Sequence, residues 1–565
     1  MRKARFESLT SNGPIFPVKY EPKGYNANGE KLSPLAEEMA WKAARFIGSD
    51  YEAECFAPTS NMWKCFWPEL TTIQQKLSQK DYMAMMSGMK ATQEILKEEK
   101  KSLSKEEKLA IKAEKDALKE KHGVATLNGQ PAPLCGYLIE DANWILTRGK
   151  DPRKFCWKYA VEEKDVVLNI VNEKSPANWK GEVKADPASI WAVKYQIKCG
   201  RPEMSCYKVL NKIIAFAPQV SVRQEMTTGK FDKSADILKN WDFLQKEIKK
   251  ACLKGNDAAL IVYLIQETGI RVGNERDESK MALTYGMSTL EGQHIKFSNY
   301  PLVNTVTFNF LGKDSVPETR SIIIDTEIWN ILNNKKLYPG KRIFKVSSGD
   351  VNIFLKKLMP GISVKNLRTV KCNEVLVRNL KVQNVTKKNS EAEKLRAMFI
   401  ANLEIAKTMN HQKNIGKTQK EGEGKCAERV AKAKARIKDM KKRHKDQLAK
   451  LDELAVKYRK AFAGMKFLKE KLAEIDEKRI KIGNQRSRAF LSIEKSELAL
   501  EKKQLTAEIS LGTSLQNYAD FRIIKSFCEE IELPIEKIFT ANQMKLVAPL
   551  TENTPVSYWR DYPNV

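Results

Sequence analysis

Between positions 430 and 475 the periodic residues keep a strict 3-4 spacing: Val430, Ala433, Ile437, Met440, His444, Gln447, Leu451, Leu454, Tyr458, Ala461, Met465, Leu468, Leu472 and Ile475. Lys, Arg, Asp and Glu predominate between them. A helix with this pattern carries one apolar seam and must bury it against another helix, so a coiled coil is expected. Gly464 and Gly483 are the two candidates for a reversal. Gly464 divides the segment into arms of similar length, but the heptad phase runs straight through it, and both positions stay open. Polar His444 and Gln447 weaken a dimer seam, which favours a basic arm folded back on itself over a dimerisation coil.

Charge narrows the partner. The 565 residues include 99 Lys+Arg against 70 Asp+Glu, a net charge of +29. That surplus points at a polyanion, nucleic acid ahead of an acidic membrane surface. With 42% hydrophobic residues the chain is not disordered, and its length leaves room for about three or four domains. No apolar run approaches the roughly 18 residues of a membrane span, and MRKARFESLTSNGP lacks the apolar core of a secretory signal. Ten scattered cysteines without C-x-x-C, beside four histidines, read as free thiols in a reducing compartment rather than a zinc site.

The remaining elements are mixed. Residues 1–100 combine Pro, Gly and aromatics as ordered, irregular structure. Residues 103–121 predict a solvated helix capped by Ser104 with help from Glu106 or Glu107. VVLNIV at 166–171 reads as a strand, as does SIWAVKYQI, where Trp191, Val193, Tyr195 and Ile197 alternate with Ala192, Lys194 and Gln196. Beyond Pro218 helical patterns dominate from 234 to 267, a β-hairpin spans 304–325, and helices return up to His411.

Candidate chemistry is dispersed. IGKT at 415–418 resembles the end of a phosphate-binding loop, but the first glycine of that motif would fall on His411 and no strand precedes it, so ATP binding is not expected there. No D-x-D or H-x-x-x-H cluster suggests a catalytic metal. What remains is Arg271 in ETGIRVGNE, Lys313 in FLGKDS, Arg368 in VKNLRTVKCNE, His411 in TMNHQK and Tyr518 in GTSLQNYADFR. Singly, each has an ordinary explanation as a surface ion pair, a turn residue, a helix-end charge or a core aromatic.

In order, these contexts resemble the eukaryotic-type DNA topoisomerase IB family. The resemblance runs from GPIFPVKYEP at residue 13 to PIEKIFTANQ at 534–543, with SKEEKLAIK, IRVGNE, FLGKDS, LRT, NHQ and LGTS…NY between them. It implies an α+β multidomain DNA clamp. A mixed α/β cap lobe would occupy 1–220 and a mainly helical catalytic core, of the type shared with tyrosine recombinases, 221–414. An antiparallel coiled-coil linker would follow at 415–503, then a small helical C-terminal domain at 504–565.

The resemblance also implies the chemistry. Tyr518 attacks a backbone phosphate and becomes linked to the 3′-phosphate. Arg271, Arg368 and His411 stabilise the phosphorane, and Lys313 protonates the leaving 5′-oxygen. Asp314, Asn517, Lys365 and Tyr159 would lie at the DNA and drug pocket beside the cleavage site. No ATP and no required metal are implied, with divalent ions at most stimulatory. The implied partner is supercoiled duplex DNA, with no membrane, acted on by a monomer in the nucleus, or at a viral replication site if the copy is viral.

Departures from the family pattern carry information. The basic KRR-like stretch of the upper lobe reads WKYAV at 157–161, so Tyr159 stands where an arginine contact is expected. Lys413, Asn414 and Ile415 replace the prolines after NHQ, and the family's long charged N-terminal extension is not seen, which leaves KKRHK at 441–445 as a candidate import signal on a helix face. Retained Asp314 and Asn517 favour sensitivity to camptothecin-type poisons, while the altered lobe opposes it. The rival readings are a tyrosine site-specific recombinase, which shares the pentad but lacks this long insertion, and a non-catalytic basic DNA-binding protein, which would have lost part of the pentad.

Overall fold

The computed structural model describes residues 4–275, 277, 279, 281–299, 303–335, 337–413, 417–463 and 467–562, with backbone alone for 417–421. It is a mixed α/β, multidomain chain that divides into two compact units, Met1–Lys230 with Val272–Gly349, and Phe231–Arg271 with Asp350–Val565. Residues 221–414 therefore contribute to both. Among the described residues no helix is long and apolar enough to cross a membrane.

The first unit is built on a six-stranded sheet of β1 (Asn143–Trp144), β2 (Trp157–Lys158), β3 (Val166–Asn169), β4 (Glu182–Lys184), β5 (Trp191–Cys199) and β6 (Lys208–Ala215). Strand β5 is central, pairing antiparallel with β2, β3 and β6. Its period-two pattern holds from Val193 onward, with Val193, Tyr195 and Ile197 buried and Lys194 and Gln196 exposed; Ala192, expected on the outer face, is fully buried where the register with β6 shifts between Trp191 and Val193. Fully buried Asn169 ties β3 to the chain entering β5, donating to the carbonyls of Asp186 and Trp191 and to Ser189 Oγ at 3.0–3.1 Å. Helix α1 (Gln79–Ser102) packs on this unit. Helix α2 (Lys105–His122) starts at a Ser104–Glu107 capping box and has no buried residue, as its charged sequence predicts.

The same unit holds a three-stranded antiparallel sheet of β7 (Ile295–Ser298), β8 (Thr305–Leu311) and β9 (Pro317–Ile323). The β8–β9 turn is closed by Gly312 N–H donating to Val316 O at 2.7 Å. Asp314 (φ 63°) and Ser315 (φ 55°) both take the left-handed region, which is uncommon for side-chain-bearing residues and marks a turn held by its surroundings. The loop at Gly149 (φ +65°) approaches so closely that a Cβ there would lie 2.5 Å from Ser315 Cβ. Only glycine fits.

The second unit is helical. Helix α3 (Asp257–Thr268) is apolar on nearly all faces and correspondingly buried; Asn256 caps it by accepting from Ala259 N. Helices α4 (Val364–Gln383) and α5 (Glu391–Thr408) pack on each other, and α4 packs on α3. The periodic segment forms α6 (Lys417–Ala461) and α7 (Leu468–Leu505).

Their cross-pairs run antiparallel. Arg479 bonds Asp452, Lys434 meets Glu497 at 2.7 Å, and Lys503 Nζ reaches Gly422 O at 2.8 Å. Gly483 lies within α7, so the reversal is not there; Gly464 and Met465 lie outside the described residues, as do Asn414 and Ile415. Val430, Ile437, His444 and Ile475 are buried, whereas Gln447 and Ala461 are exposed and Leu448, beside Gln447, is half-buried. Ile475→Ala should remove about 2–5 kcal/mol of seam packing. Hydrogen exchange would show faster opening of α6 and α7 with the first unit unchanged.

Candidate active site

Arg368 projects from the first half of α4 into the interior and is 6% exposed. Three groups surround its guanidinium. Nε donates to Gly269 O at 2.7 Å, Nη1 to the Tyr518 hydroxyl at 2.7 Å, and Nη2 meets Met409 Sδ at 3.4 Å. The guanidinium carbon also lies 5.1 Å from the Tyr518 ring centre. Each contact comes from a different element, so local backbone geometry decides the arrangement.

Gly269 terminates α3 in the left-handed conformation (φ 70°), the usual way a helix ends on glycine. This turns its carbonyl toward Arg368. A Cβ there would sit 3.1 Å from Met409 Cε. Helix α5 ends in a Schellman motif: Asn410 is left-handed (φ 53°), its N–H bonds Lys407 O, and the His411 N–H bonds Ala406 O at 2.9 Å. The NHQ tripeptide thus has a structural reading, in which Asn supplies the αL residue that aims the next imidazole inward.

Tyr518 follows helix α8 (Leu511–Asn517), with its N–H on Ser514 O at 3.1 Å. Two residues on, buried Asp520 takes a side-chain bond from its own chain and a backbone anchor. It caps helix α9 (Phe521–Glu530) through Arg522 N, and its own N–H donates to Asn373 Oδ1 of α4 at 2.8 Å. The chain leaving α5 and the chain leaving α7 pair directly: Ser510 N–H bonds His411 O, and Lys413 N–H bonds Glu508 O, each at 2.8 Å. This clip returns the polypeptide to the site after the helical excursion.

The His411 ring lies 5.6 Å from the Tyr518 ring. Neither ring nitrogen has a hydrogen-bond partner among the described residues, although the side chain is buried. Burial, then the charges of Arg271 and Arg368, push the imidazole down to about 4. Burial also lowers the Arg368 guanidinium, with Tyr518 opposing the shift and Arg271 adding to it. At neutral pH the site therefore sets a neutral imidazole beside guanidinium cations, with an electrostatic demand for an anion.

Of the sequence-predicted residues, Arg271, Arg368, His411 and Tyr518 come together in the second unit. Asn517, exposed, precedes the tyrosine, and exposed Lys365 lies one turn before Arg368 on α4. Lys313 and Asp314 sit exposed on the β8–β9 turn of the first unit. Half-buried Tyr159 follows β2 in the same unit, packed on its core, and burial pushes its hydroxyl up to about 12. Sequence reasoning missed Met409 and Asn373. The helix-ending glycine in ETGIR was readable as a cap, but nothing local marked Asn373 as an anchor.

Comparison with known proteins gives this arrangement its family. Residues 4–201 match the family model described as eukaryotic DNA topoisomerase I, DNA binding fragment; residues 219–444 match eukaryotic DNA topoisomerase I, catalytic core; and residues 491–547 match the C-terminal topoisomerase domain. The chain belongs to the eukaryotic DNA topoisomerase I family and is a DNA-binding isomerase, a type IB DNA topoisomerase. It is 26% identical to DNA topoisomerase 1 of Homo sapiens over 570 residues, covering 96% of this chain and 70% of the relative. It is 26% identical to that of Rattus norvegicus over 580 residues (98% and 71%) and 27% identical to that of Caenorhabditis elegans over 574 residues (95% and 65%).

Two tests address the site. Gly269→Ala forces a left-handed alanine, costing about 1–2 kcal/mol, and presses on Met409, so denaturant unfolding should show a loss of at least that size. For His411, the imidazole titrates at about 4 in the fold against 6.5 ordinarily. The unfolded chain binds the proton first, so this contribution is intact above about pH 6.5 and is lost as pH falls toward 4. In thermal melts over that window the wild type should lose more stability than His411→Gln.

Proposed function

We propose that Tyr518 is the nucleophile of DNA strand cleavage and that Arg368, Arg271 and His411 stabilise its transition state. The observation that carries this reading is the 2.7 Å bond from buried Arg368 to the tyrosine hydroxyl. A permanently charged donor on that oxygen favours the negative charge that develops as the O–H proton leaves. The phenolic oxygen then bonds to phosphorus, and the 5′-oxygen departs with a proton from Lys313, a general acid on an exposed turn. The two arginines hold the non-bridging oxygens, and His411 donates to one from a ring nitrogen that has no hydrogen-bond partner among the described residues.

One phosphate ester replaces another, so the 3′-phosphotyrosyl link keeps the energy needed for religation. The reaction calls for neither ATP nor a metal. Between the two steps the free end rotates about the intact strand and supercoils of either sign relax. Residues 1–220 would be the cap lobe of a clamp around the duplex, 221–414 its catalytic core, 415–503 the coiled-coil linker and 504–565 the domain bearing the nucleophile. Asp314, Asn517, Lys365 and Tyr159 would line the cleavage site. The rest of the +29 charge supplies sequence-independent phosphate contacts. The enzyme acts as a monomer in the nucleus.

Purified protein should relax supercoiled plasmid in EDTA without ATP. Tyr518→Phe should abolish relaxation, and Arg368→Ala or His411→Gln should slow cleavage on the order of 10²-fold or more. Full activity in Tyr518→Phe, or none in folded wild type, would refute the assignment.

A further inference from the structure

The first unit contains a group of sulfur side chains that the transesterification does not use. Cys156 Sγ lies 3.4 Å from Cys206 Sγ. Cys65 Sγ lies 3.6 Å from Met204 Sδ and accepts the Trp157 N–H at 3.5 Å. Cys65 and Cys156 are fully buried and Cys206 is 4% exposed, all within one apolar core. All three are free thiols.

Two features set this group apart from ordinary core cysteines. The residue before Cys156 is Phe155, a buried aromatic held in the left-handed region (φ 58°), where a bulky side chain is strained. Such strain persists only where the surroundings over-determine it, and it clusters at working positions. Here it sets the direction in which the Cys156 thiol enters the group. Cys206, by contrast, lies in the short connection between β5 and β6, beside exposed Glu203 and Ser205. Local opening of that connection admits a small oxidant without disturbing the sheet. Contact between Cys65 and Cys156 lowers the Cys65 thiol and, with burial, raises the Cys156 thiol well above its ordinary value, so it is the distance between their sulfurs that singles out Cys156 and Cys206 as a pair.

We propose that Cys156 and Cys206 form a peroxide-sensitive modification site, closing to a disulfide that joins the residue before β2 to the 200–207 connection. The Cys206 sulfur attacks one peroxide oxygen and the O–O bond breaks; the second oxygen leaves with the thiol proton as water. The Cys156 sulfur then attacks the Cys206 sulfenic acid, and its hydroxyl leaves with the Cys156 proton as a second water. Two thiols and one hydrogen peroxide give one disulfide and two waters; the sulfurs are oxidised and the peroxide oxygens reduced. The sulfurs need only close from 3.4 Å to the ~2.05 Å of a disulfide. Tyr159 follows β2 directly, so the link fixes the segment that bears it. The site is independent of the transesterification.

The test is peptide mass mapping of the full chain under non-reducing conditions after hydrogen peroxide. In wild type Cys156 and Cys206 should lose their free thiols, yield a Cys156–Cys206 peptide pair two hydrogens lighter than the reduced sum, and regain both thiols in dithiothreitol, whatever happens at exposed Cys135. Cys206→Ser should keep Cys65 and Cys156 reduced under the same exposure. An unchanged thiol count in wild type overturns the proposal. So does conversion of these thiols to sulfonic acid, or a Cys156 link to any other partner. The wild-type map decides the question even if the serine variant folds poorly.

Discussion

A single buried guanidinium organises the helical unit. Arg368 takes its hydrogen-bond acceptors from the end of α3, the end of α5 and the joint between α8 and α9, so three segments far apart in sequence converge on one charge. Burying a cation is costly unless its donors are matched, and removing one partner leaves the others to bear the penalty. The backbone details around it follow from that constraint. Gly269 must be left-handed to offer its carbonyl, and the Schellman end of α5 must place Met409 and His411 on the same side. The tyrosine is thereby held by the group that the proposed chemistry needs beside it.

The same charge explains the histidine. An imidazole that feels the charge of two guanidinium groups and is shielded from water has every reason to stay neutral, and neither of its ring nitrogens has a hydrogen-bond partner among the described residues. Such a group is costly in the resting protein. An incoming phosphate would lower that cost by bringing the negative charge the site lacks. Affinity for an anion and destabilisation of the empty site are two sides of one arrangement.

Legibility followed the range of the interactions. Helices α2, α6 and α7 were readable because charge pattern and heptad spacing are local properties, and β5 because its period-two pattern directly reports a buried face. The hairpin carrying Lys313 was readable from its turn residues. The ordered motifs named the site residues, but their convergence rests on contacts that span up to 150 residues, as between Arg368 and Tyr518. Asn373 could not be read at all, because its job is to receive the amide of Asp520 and nothing in VKCNE advertises that. Gln447 and Ala461 were misplaced because heptad spacing alone does not say that a polar or very small side chain gives little reason for burial; both are exposed, and Leu448 beside Gln447 is half-buried.

The clip between residues 411–413 and 508–510 gives the helical pair a mechanical character. Helix α6 alone has 45 residues, about 68 Å at ~1.5 Å per residue. It is rooted beside two backbone hydrogen bonds, one of which is made by the His411 carbonyl. A sideways load at the far end of so long a lever is multiplied at its root. The base of α7 is also tied to α5 by Arg396–Glu501 and Lys495–Glu391, so a load on the pair is shared between these ion pairs and the backbone of the residue that faces the tyrosine.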